Sequence, residues 1–289
     1  MRIGITTFCL DRTVHPVRLA REVEDRGFES LWYPEHSHIP ASRRTPWPGS
    51  LDGEPLPDDY WRMHDQFNAL SMAGAVTTTL RLGTSVLLLG QRDPIWTAKQ
   101  VASLDHLTGG RVELGIGFGW NREEQENHGY PWADRRAMVR EKLLAMQALW
   151  TEDEASFTGE HVRFDRAWAL PKPLQQPHPP IHLGGGWGPR LFEAIVEYGD
   201  GWMPISARPS LARRIAPLHE AAERAGRDPA TIAVSVFGAT TDPAGLEQLA
   251  SEGVTRAVLT LPYEDVDVVL PLLDEWAPLA TRFHEEEAR

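Results

Sequence analysis

Three ionisable side chains stand together directly after a short apolar run. Residues 30–40 read SLWYPEHSHIP, which places Glu35, His36 and His38 within four positions. Imidazole titrates near neutral pH, so it can donate or accept a proton, and it is also a frequent metal ligand. The pattern is compatible with a metal site, with an acid–base pair beside an organic cofactor, or with a polar loop that has no chemistry. Glu35 and His36 are the candidate catalytic residues.

The elements that must position these residues alternate regularly. Short β-rich runs are predicted at 2–7, 29–33, 81–89, 111–116, 181–183, 201–204, 231–237 and 256–261. Amphipathic helices are predicted between them, at 14–27, 61–78, from 94, at 134–150, 188–198, 208–225, 243–252 and from 263. Strict alternation predicts a parallel sheet, and the number of strands favours a closed (β/α)8 barrel over an open sheet. We therefore predict one α/β barrel domain over residues 1–289.

Two segments depart from this alternation. Residues 36–60 are rich in proline and tryptophan, and a loop of this length is usually functional, so we predict a lid that offers the substrate an apolar wall. A rigid surface loop packed on the barrel is the alternative. Residues 151–180 combine a short hairpin with a proline-rich connector. We interpret them as an insertion rather than as a domain boundary.

Composition restricts the class of partner. The formal charge is −12 and no basic cluster offsets it, which argues against nucleic acid and anionic membrane partners. A single cysteine, Cys9, excludes an intrachain disulfide and fits a reducing compartment. The apolar stretches fall far below the roughly 18 residues that span a bilayer, and the N-terminus lacks a signal-peptide core. A cytoplasmic protein that acts on a small molecule is expected.

The active site of such a barrel lies at the carboxyl ends of its strands. Glu35 and His36 end the second strand, while glycine clusters end the fourth (GIGFGW, 115–120) and the fifth (LGGGWG, 183–188). Glycines let a ligand approach the backbone and expose N–H groups to an anion, and the helix after residue 186 adds its dipole. Tight turns alone would explain either cluster. Two clusters at one rim favour a phosphorylated or extended planar ligand, although GIGFG is not the dinucleotide fingerprint.

A metal site is less well supported. His36 and His38 could supply ligands, and His182 lies within the fifth strand, but the strands at 201–204 and 256–261 end without His or Asp. Because a catalytic zinc needs about three protein ligands, we assign no metal. Three further ionisable residues are predicted to form the solvated start of a helix: Glu123, Glu124 and His128.

Five stretches occur in an order and spacing typical of one family. They are GFESLWYPEH, LRLGTSVLLL, AKQVASLDHLTGGRVELGIGFGWNREE, KPLQQPHPPIHLGGG and YGDGW. The combination resembles the luciferase-like monooxygenase superfamily and, within it, the actinobacterial coenzyme F420-dependent oxidoreductases. The resemblance covers nearly the whole chain to about residue 205 and is looser beyond it. It implies a (β/α)8 barrel with a flavin or 5-deazaflavin at its mouth and hydride transfer at the ring.

The resemblance also implies roles for individual residues. It places Glu35 and His36 against the cofactor ring and a non-proline cis peptide at Ser85–Val86, pressing on the ring face. The residues that it implies around the cofactor and its phosphate tail are Gly117, Gly119, Trp120, Gly184, Gly185 and Gly186.

There are departures from the pattern of the sugar-phosphate dehydrogenases in this superfamily. Those enzymes have glutamate where this chain has Trp120 and tryptophan where it has Pro40. Their basic phosphate-binding residues are matched at best by Arg208. These differences argue against a sugar phosphate as substrate.

The function that we expect is hydride exchange between coenzyme F420 and a small organic substrate such as an activated alkene, imine or alcohol. His36 would move the accompanying proton, and Glu35 would bond the ring edge or orient the histidine, while His38 would be a loop residue. FMN-dependent oxygenation with dioxygen is the alternative, and a non-catalytic flavin-binding carrier is the alternative outside enzymes. A homodimer is one possible assembly.

Overall fold

Eight parallel strands close on each other in the computed structural model, which describes residues 1–50, 53–205 and 211–287. The barrel order is β1-β2-β3-β4-β7-β8-β9-β10, with β10 pairing back to β1. The strands are β1 (Arg2–Thr6), β2 (Ser30–Tyr33), β3 (Arg81–Leu87), β4 (Val112–Ile116), β5 (Ala155–Thr158), β6 (Arg163–Ala167), β7 (Ile181–Gly184), β8 (Gly201–Met203), β9 (Ala233–Phe237) and β10 (Arg256–Thr260). The predicted (β/α)8 barrel is confirmed.

Helices cover the outside of the barrel. They are α1 (Pro16–Asp25), α2 (Gln66–Gly74), α3 (Pro94–Leu107), α4 (Arg122–Asn127), α5 (Arg135–Thr151), α6 (Pro189–Tyr198), α7 (Ala212–Arg224), α8 (Pro243–Ser251) and α9 (Val266–Glu287). Within the described ranges, no helix has both the length and the apolar character that crossing a membrane requires. Strands β5 and β6 pair antiparallel outside the barrel. They form the hairpin that was predicted within residues 151–180.

Some predicted boundaries were wrong. The helix predicted over 61–78 is confined to α2, because the Asp65 side chain accepts the Asn68 N–H and caps the helix there. Residues 58–61 form a separate 3-10 turn that ends the long loop. The strand predicted over 81–89 ends at Leu87, since residues 89–91 form another 3-10 turn.

Part of the barrel interior is apolar and is filled by a few large side chains. A Cβ at Gly83 would lie 2.0 Å from the Trp32 ring, and one at Gly115 would lie 2.5 Å from the Met203 sulfur. Glycine at these inward positions is therefore a packing requirement. The cluster consists of Trp32, Met203, Phe237 and Val258, with Val86 packed against it.

The amino-terminal end of the barrel is closed by buried charges. Arg256 donates to Glu29 at 2.6 Å and to Glu113 at 3.1 Å, and His182 Nε2 lies 2.6 Å from Glu113. Burial would raise the pKa of Glu113, but the Arg256 charge and the His182 contact outweigh it, so this pKa lies well below its ordinary value. His182 thus belongs to the base of the barrel, at the opposite end from His36.

Candidate active site

Parallel pairing brings the carboxyl ends of the barrel strands to one rim. Glu35 and His36 follow β2, and the Ser85–Val86 peptide in β3 is cis, as predicted. The glycine loop 117–120 follows β4, and the glycines 184–186 end β7. The structure therefore gathers the predicted site residues at the same end of the barrel.

His36 is held by a hydrogen bond on each ring nitrogen. Nδ1 lies 2.6 Å from Glu124 Oε2, and Nε2 lies 3.1 Å from the indole nitrogen of Trp120. An indole N–H can only donate and a carboxylate can only accept. His36 Nε2 is therefore an acceptor, and the ring carries its proton on Nδ1. In this neutral tautomer the Nε2 lone pair at the rim accepts the Trp120 N–H, so a bound molecule can give its proton to Nε2 only by replacing that donor.

Glu124 is the buried partner of this histidine. Its side chain is 1% exposed, and its second oxygen accepts from the Ser37 N–H at 3.0 Å and from Gln91 Nε2 at 2.8 Å. Burial would raise the pKa of Glu124, but the His36 contact and the Gln91 and Ser37 donors lower it below its ordinary value. The prediction that residue 124 is solvated was wrong, because α4 turns this side chain towards β2.

Glu35 points away from the histidine. One oxygen accepts the Leu88 N–H at 2.7 Å, and the other pairs with Arg92, which also contacts Asp65. Both ring nitrogens of His36 are occupied by other residues, so the predicted orienting role belongs to Glu124. Glu35 instead fixes the turn that follows β3.

Two rim glycines accommodate Val86. A Cβ at Gly117 would lie 2.2 Å from Val86 Cγ2, and one at Gly184 would lie 2.8 Å from Val86 Cγ1. These glycines therefore make room for the Val86 side chain, a role that the sequence pattern does not reveal. Ser85 is held at β1 by a 3.2 Å contact between its hydroxyl and that of Thr6.

The loop between β7 and α6 is exposed, unlike the glycine position after β4 that Val86 fills. Gly185 has a φ of 147°, and a Cβ at Gly186 would meet no atom within 4 Å. The described residues offer no acceptor to the backbone N–H groups of 186–188. These donors precede the amino terminus of α6, so the loop suits an anionic group such as a phosphate. Arg208, the basic residue proposed from sequence, lies outside the described residues.

Aromatic rings from the long loop and from the ends of three strands form a connected set beside His36. We call this set the aromatic wall: Phe8, Trp47, Tyr60, Trp120 and Tyr263. The Tyr60 ring lies 5.5 Å from the His36 ring and 6.1 Å from that of Trp120, and Trp47 donates to the Tyr60 hydroxyl at 3.0 Å. The loop thus folds over the histidine, which is the position expected of a lid.

Glu123 attaches this loop to α4. One carboxylate oxygen accepts the Arg44 N–H at 2.9 Å, and the other accepts the Thr45 hydroxyl at 2.6 Å. Burial would raise the pKa of Glu123, but these hydrogen bonds lower it to about 2. Glu123 was also predicted to be solvated; it stays partly exposed, but the predicted helix start did not include its hydrogen bonds to the loop.

The family is established by sequence comparison. The sequence profile of the family described as luciferase-like monooxygenase matches residues 12–259. The chain belongs to the luciferase-like monooxygenase family. An uncharacterised protein of Mycobacterium tuberculosis is 40% identical over 270 residues, covering 92% of this chain and 94% of that protein. A phthiodiolone/phenolphthiodiolone dimycocerosates ketoreductase of the same species is 36% identical over 167 residues, covering 56% and 43% respectively.

Solved structures share the luciferase-like fold. The monooxygenase RslO1 from Streptomyces bottropensis has a TM-score of 0.78 at 19% identity, covering 98% of this chain and 100% of that one. An F420-dependent secondary alcohol dehydrogenase, solved with an F420–acetone adduct, has a TM-score of 0.74 at 20% identity, covering 97% and 99%. An FMN complex of the oxygenating constituent of 3,6-diketocamphane monooxygenase from Pseudomonas putida has a TM-score of 0.65 at 20% identity, covering 81% and 66%.

Two further histidines of this luciferase-like protein, His38 and His128, lie near His36 but contact neither His36 nor Glu124 through a hydrogen bond. His38 contacts the Ser37 hydroxyl and Asn127, as expected of a loop residue, and exposed His128 lies 2.7 Å from the same hydroxyl. Across the part of the chain that is described, no group of three or more His, Cys, Asp or Glu side chains is placed to hold a metal ion.

Proposed function

We propose that the protein is a coenzyme F420-dependent oxidoreductase that interconverts an alcohol and a carbonyl compound, with His36 moving the proton. The observation that carries this proposal is the tautomer of His36. Its Nε2, which accepts the Trp120 N–H, lies at the carboxyl-end rim of a luciferase-like barrel, and its Nδ1–H is held by a buried carboxylate. Such a ring is prepared to accept a proton.

The reaction separates a hydride from a proton. The substrate hydroxyl gives its proton to His36 Nε2, the carbon beside it loses a hydride, and the C=O bond forms. When bound, the deazaflavin supplies the two-electron hydride acceptor, or the donor in the reverse direction. The imidazolium that forms keeps its Nδ1–H on Glu124, whose negative charge stabilises it.

The residues present fit a phosphorylated ring cofactor. The open loop at 185–188 offers the unpaired N–H groups of residues 186–188 beside the amino terminus of α6, which suits the phosphodiester tail. Val86, raised between Gly117 and Gly184, would support the ring face. Asn121, which is 2% exposed and has no described hydrogen-bond partner at either side-chain atom, is a further donor and acceptor next to Trp120.

Two relatives support the choice of reaction. One solved structure of the same fold is an F420-dependent secondary alcohol dehydrogenase, and one curated relative is a ketoreductase. Both names describe exchange between an alcohol and a carbonyl group. The aromatic wall around His36 favours a substrate with an apolar body.

FMN-dependent oxygenation is the second candidate. It is favoured by two structural neighbours, a monooxygenase and an FMN complex, that have the same fold. A deazaflavin cannot activate dioxygen, so the identity of the cofactor separates the two reactions.

Titration with F420 and FMN in parallel tests the proposal. We expect saturable binding of F420 and much weaker binding of FMN, followed by loss of the oxidised deazaflavin absorbance when 1-phenylethanol is added. Tight binding of FMN alone, with dioxygen uptake during turnover, would support the oxygenase. Binding of neither cofactor would refute both.

A further inference from the structure

The Trp120 side chain is hydrogen-bonded to His36 Nε2, the nitrogen that accepts the proton in the proposed reaction. Its indole N–H donates to His36 Nε2 at 3.1 Å, and the two rings meet edge to face with centroids 5.5 Å apart. In the ligand-free protein the lone pair of His36 is therefore already engaged. A substrate hydroxyl that binds to Nε2 has to replace this indole N–H.

The surroundings of Trp120 allow such a replacement. The residue follows Gly119, which has a φ of 74°, and lies in the segment between β4 and α4 rather than within either element. Its ring is half-buried, with Tyr60 against one edge and the Arg43 guanidinium 5.5 Å from its centroid. Moving the side chain outwards breaks one hydrogen bond and the ring contacts with Tyr60 and Arg43, but no backbone pairing.

We propose that Trp120 is a specificity-determining latch on His36, an inference that rests on the proposed function. Its N–H stands where the substrate hydroxyl binds, and its ring stands where the apolar body of the substrate binds. A molecule displaces the indole only if it brings both a hydrogen-bond donor for Nε2 and an apolar surface for Tyr60. Small polar molecules such as water can donate a hydrogen bond to Nε2, but they offer no apolar surface to Tyr60. The latch thus selects apolar alcohols.

The substitution Trp120→Phe tests the latch directly, because it keeps an aromatic ring and removes the N–H. Long-range 1H–15N spectra of histidine-labelled protein report the state of each ring nitrogen without any turnover. We expect the Nε2 resonance of His36 to move towards that of a free acceptor, while the Nδ1–H stays in place. We also expect diethylpyrocarbonate to acylate His36 faster, as measured by peptide mass spectrometry.

Trp47→Phe is the matched control. It also removes an indole N–H from the aromatic wall, but that N–H donates to the Tyr60 hydroxyl rather than to His36. The Nε2 resonance and the acylation rate should not change in this variant. If Trp120→Phe gives the same spectrum and rate as the unmodified protein, the latch is refuted. Trp120→Leu repeats the test if the Phe variant fails to fold.

Turnover tests the specificity role separately. Removing a competing neutral hydrogen bond should lower KM for 1-phenylethanol roughly three- to tenfold and leave kcat about the same. An unchanged KM would refute the specificity role even if the spectra show that the contact exists. If no alcohol is oxidised with F420, the proposed function fails, whereas the spectra and acylation rates still decide whether Trp120 holds His36.

Discussion

The carboxylate of Glu124 lies 2.6 Å from Nδ1 of His36, although 88 residues separate the two in the sequence. The contact determines which nitrogen carries the proton and directs the lone pair of the other towards the rim. Because both side chains are nearly inaccessible, at 1% and 6% exposure, solvent does not screen their attraction. Glu124 is thus a positioning residue for the proposed proton transfer.

Replacing Glu124 by Gln should lower kcat for alcohol oxidation roughly ten- to a hundredfold, by analogy with the loss found when the outer partner of a metal-ligating histidine is removed. The amide keeps the shape but loses the charge that stabilises the imidazolium. Glu126→Gln is the matched control on the same helix, since Glu126 is paired with Arg122 at the surface. Equal kcat values for both variants would contradict the positioning role.

Replacing His36 by Ala should lower kcat about 10²- to 10⁴-fold, because the proton acceptor is lost. Binding of F420, measured by fluorescence titration, should persist. His38→Ala provides the comparison, as His38 contacts only Ser37 and Asn127 in its side-chain hydrogen bonds. Full turnover by the His36 variant would remove the role that we assign to it.

Replacing Glu123 by Gln should free the long loop from α4, because the carboxylate that binds Arg44 and Thr45 is lost. We expect faster tryptic cleavage after Arg43 and Arg44, with Glu126→Gln again as control. The sign of the pH dependence follows from the depressed pKa of about 2. The attachment is intact above the ordinary value of 4.5 and weakens as pH falls towards 2. Cleavage rates that do not respond to the substitution would show that other contacts hold the loop.

Gly117→Ala should destabilise the barrel by about 1–3 kcal/mol, since the new methyl group overlaps Val86 and must push it from its position. Gly186→Ala is the matched control, because nothing lies within 4 Å of its added Cβ. Thermal unfolding followed by circular dichroism should show a lower Tm for the first variant alone. Equal Tm values would mean that Val86 can relax without loss of stability.

Replacing Glu113 by Gln should destabilise the protein by roughly 3–5 kcal/mol, because Arg256 and Arg81 lose a buried counter-charge. The pKa of Glu113 is well below 4.5 in the folded state, so its contribution is complete above pH 4.5 and is lost as pH falls below it. Urea unfolding between pH 3 and 7 should therefore show a shallower acid dependence in the variant. If the unfolding free energies of the variant and of the unmodified protein fall in parallel as pH is lowered, the acid sensitivity comes from other carboxylates.

The barrel was predictable because its main signal is local. Each strand and helix carries its own apolar periodicity, and their alternation restricts the topology to very few solutions. The start of α2, which depends on the Asp65 cap, was not recovered, whereas the start of α3 at Pro94 was. A run of good helix formers does not show which polar side chain will turn back to cap it.

The partner of His36 was not predictable to the same degree. An acidic pair at 123–124 directly after a glycine-rich strand end was a usable signal, because it follows the rim. Which of the two faces inwards depends on the angle at which the chain enters α4, and the sequence does not show that angle. Glu123 and Glu124 consequently take different roles one residue apart.

The ion pair between Glu29 and Arg256 has a consequence for synthesis of the chain. The two residues are 227 positions apart, and Arg256 opens the strand that closes the barrel. While the ribosome is still producing earlier strands, Glu29 and Glu113 lack the guanidinium of Arg256. Burying them with Arg2, Arg81 and His182 but without this cation leaves their charges less well compensated, which is unfavourable. We expect the nascent chain to remain open and available to chaperones until residue 256 has emerged, with closure as a late, cooperative event.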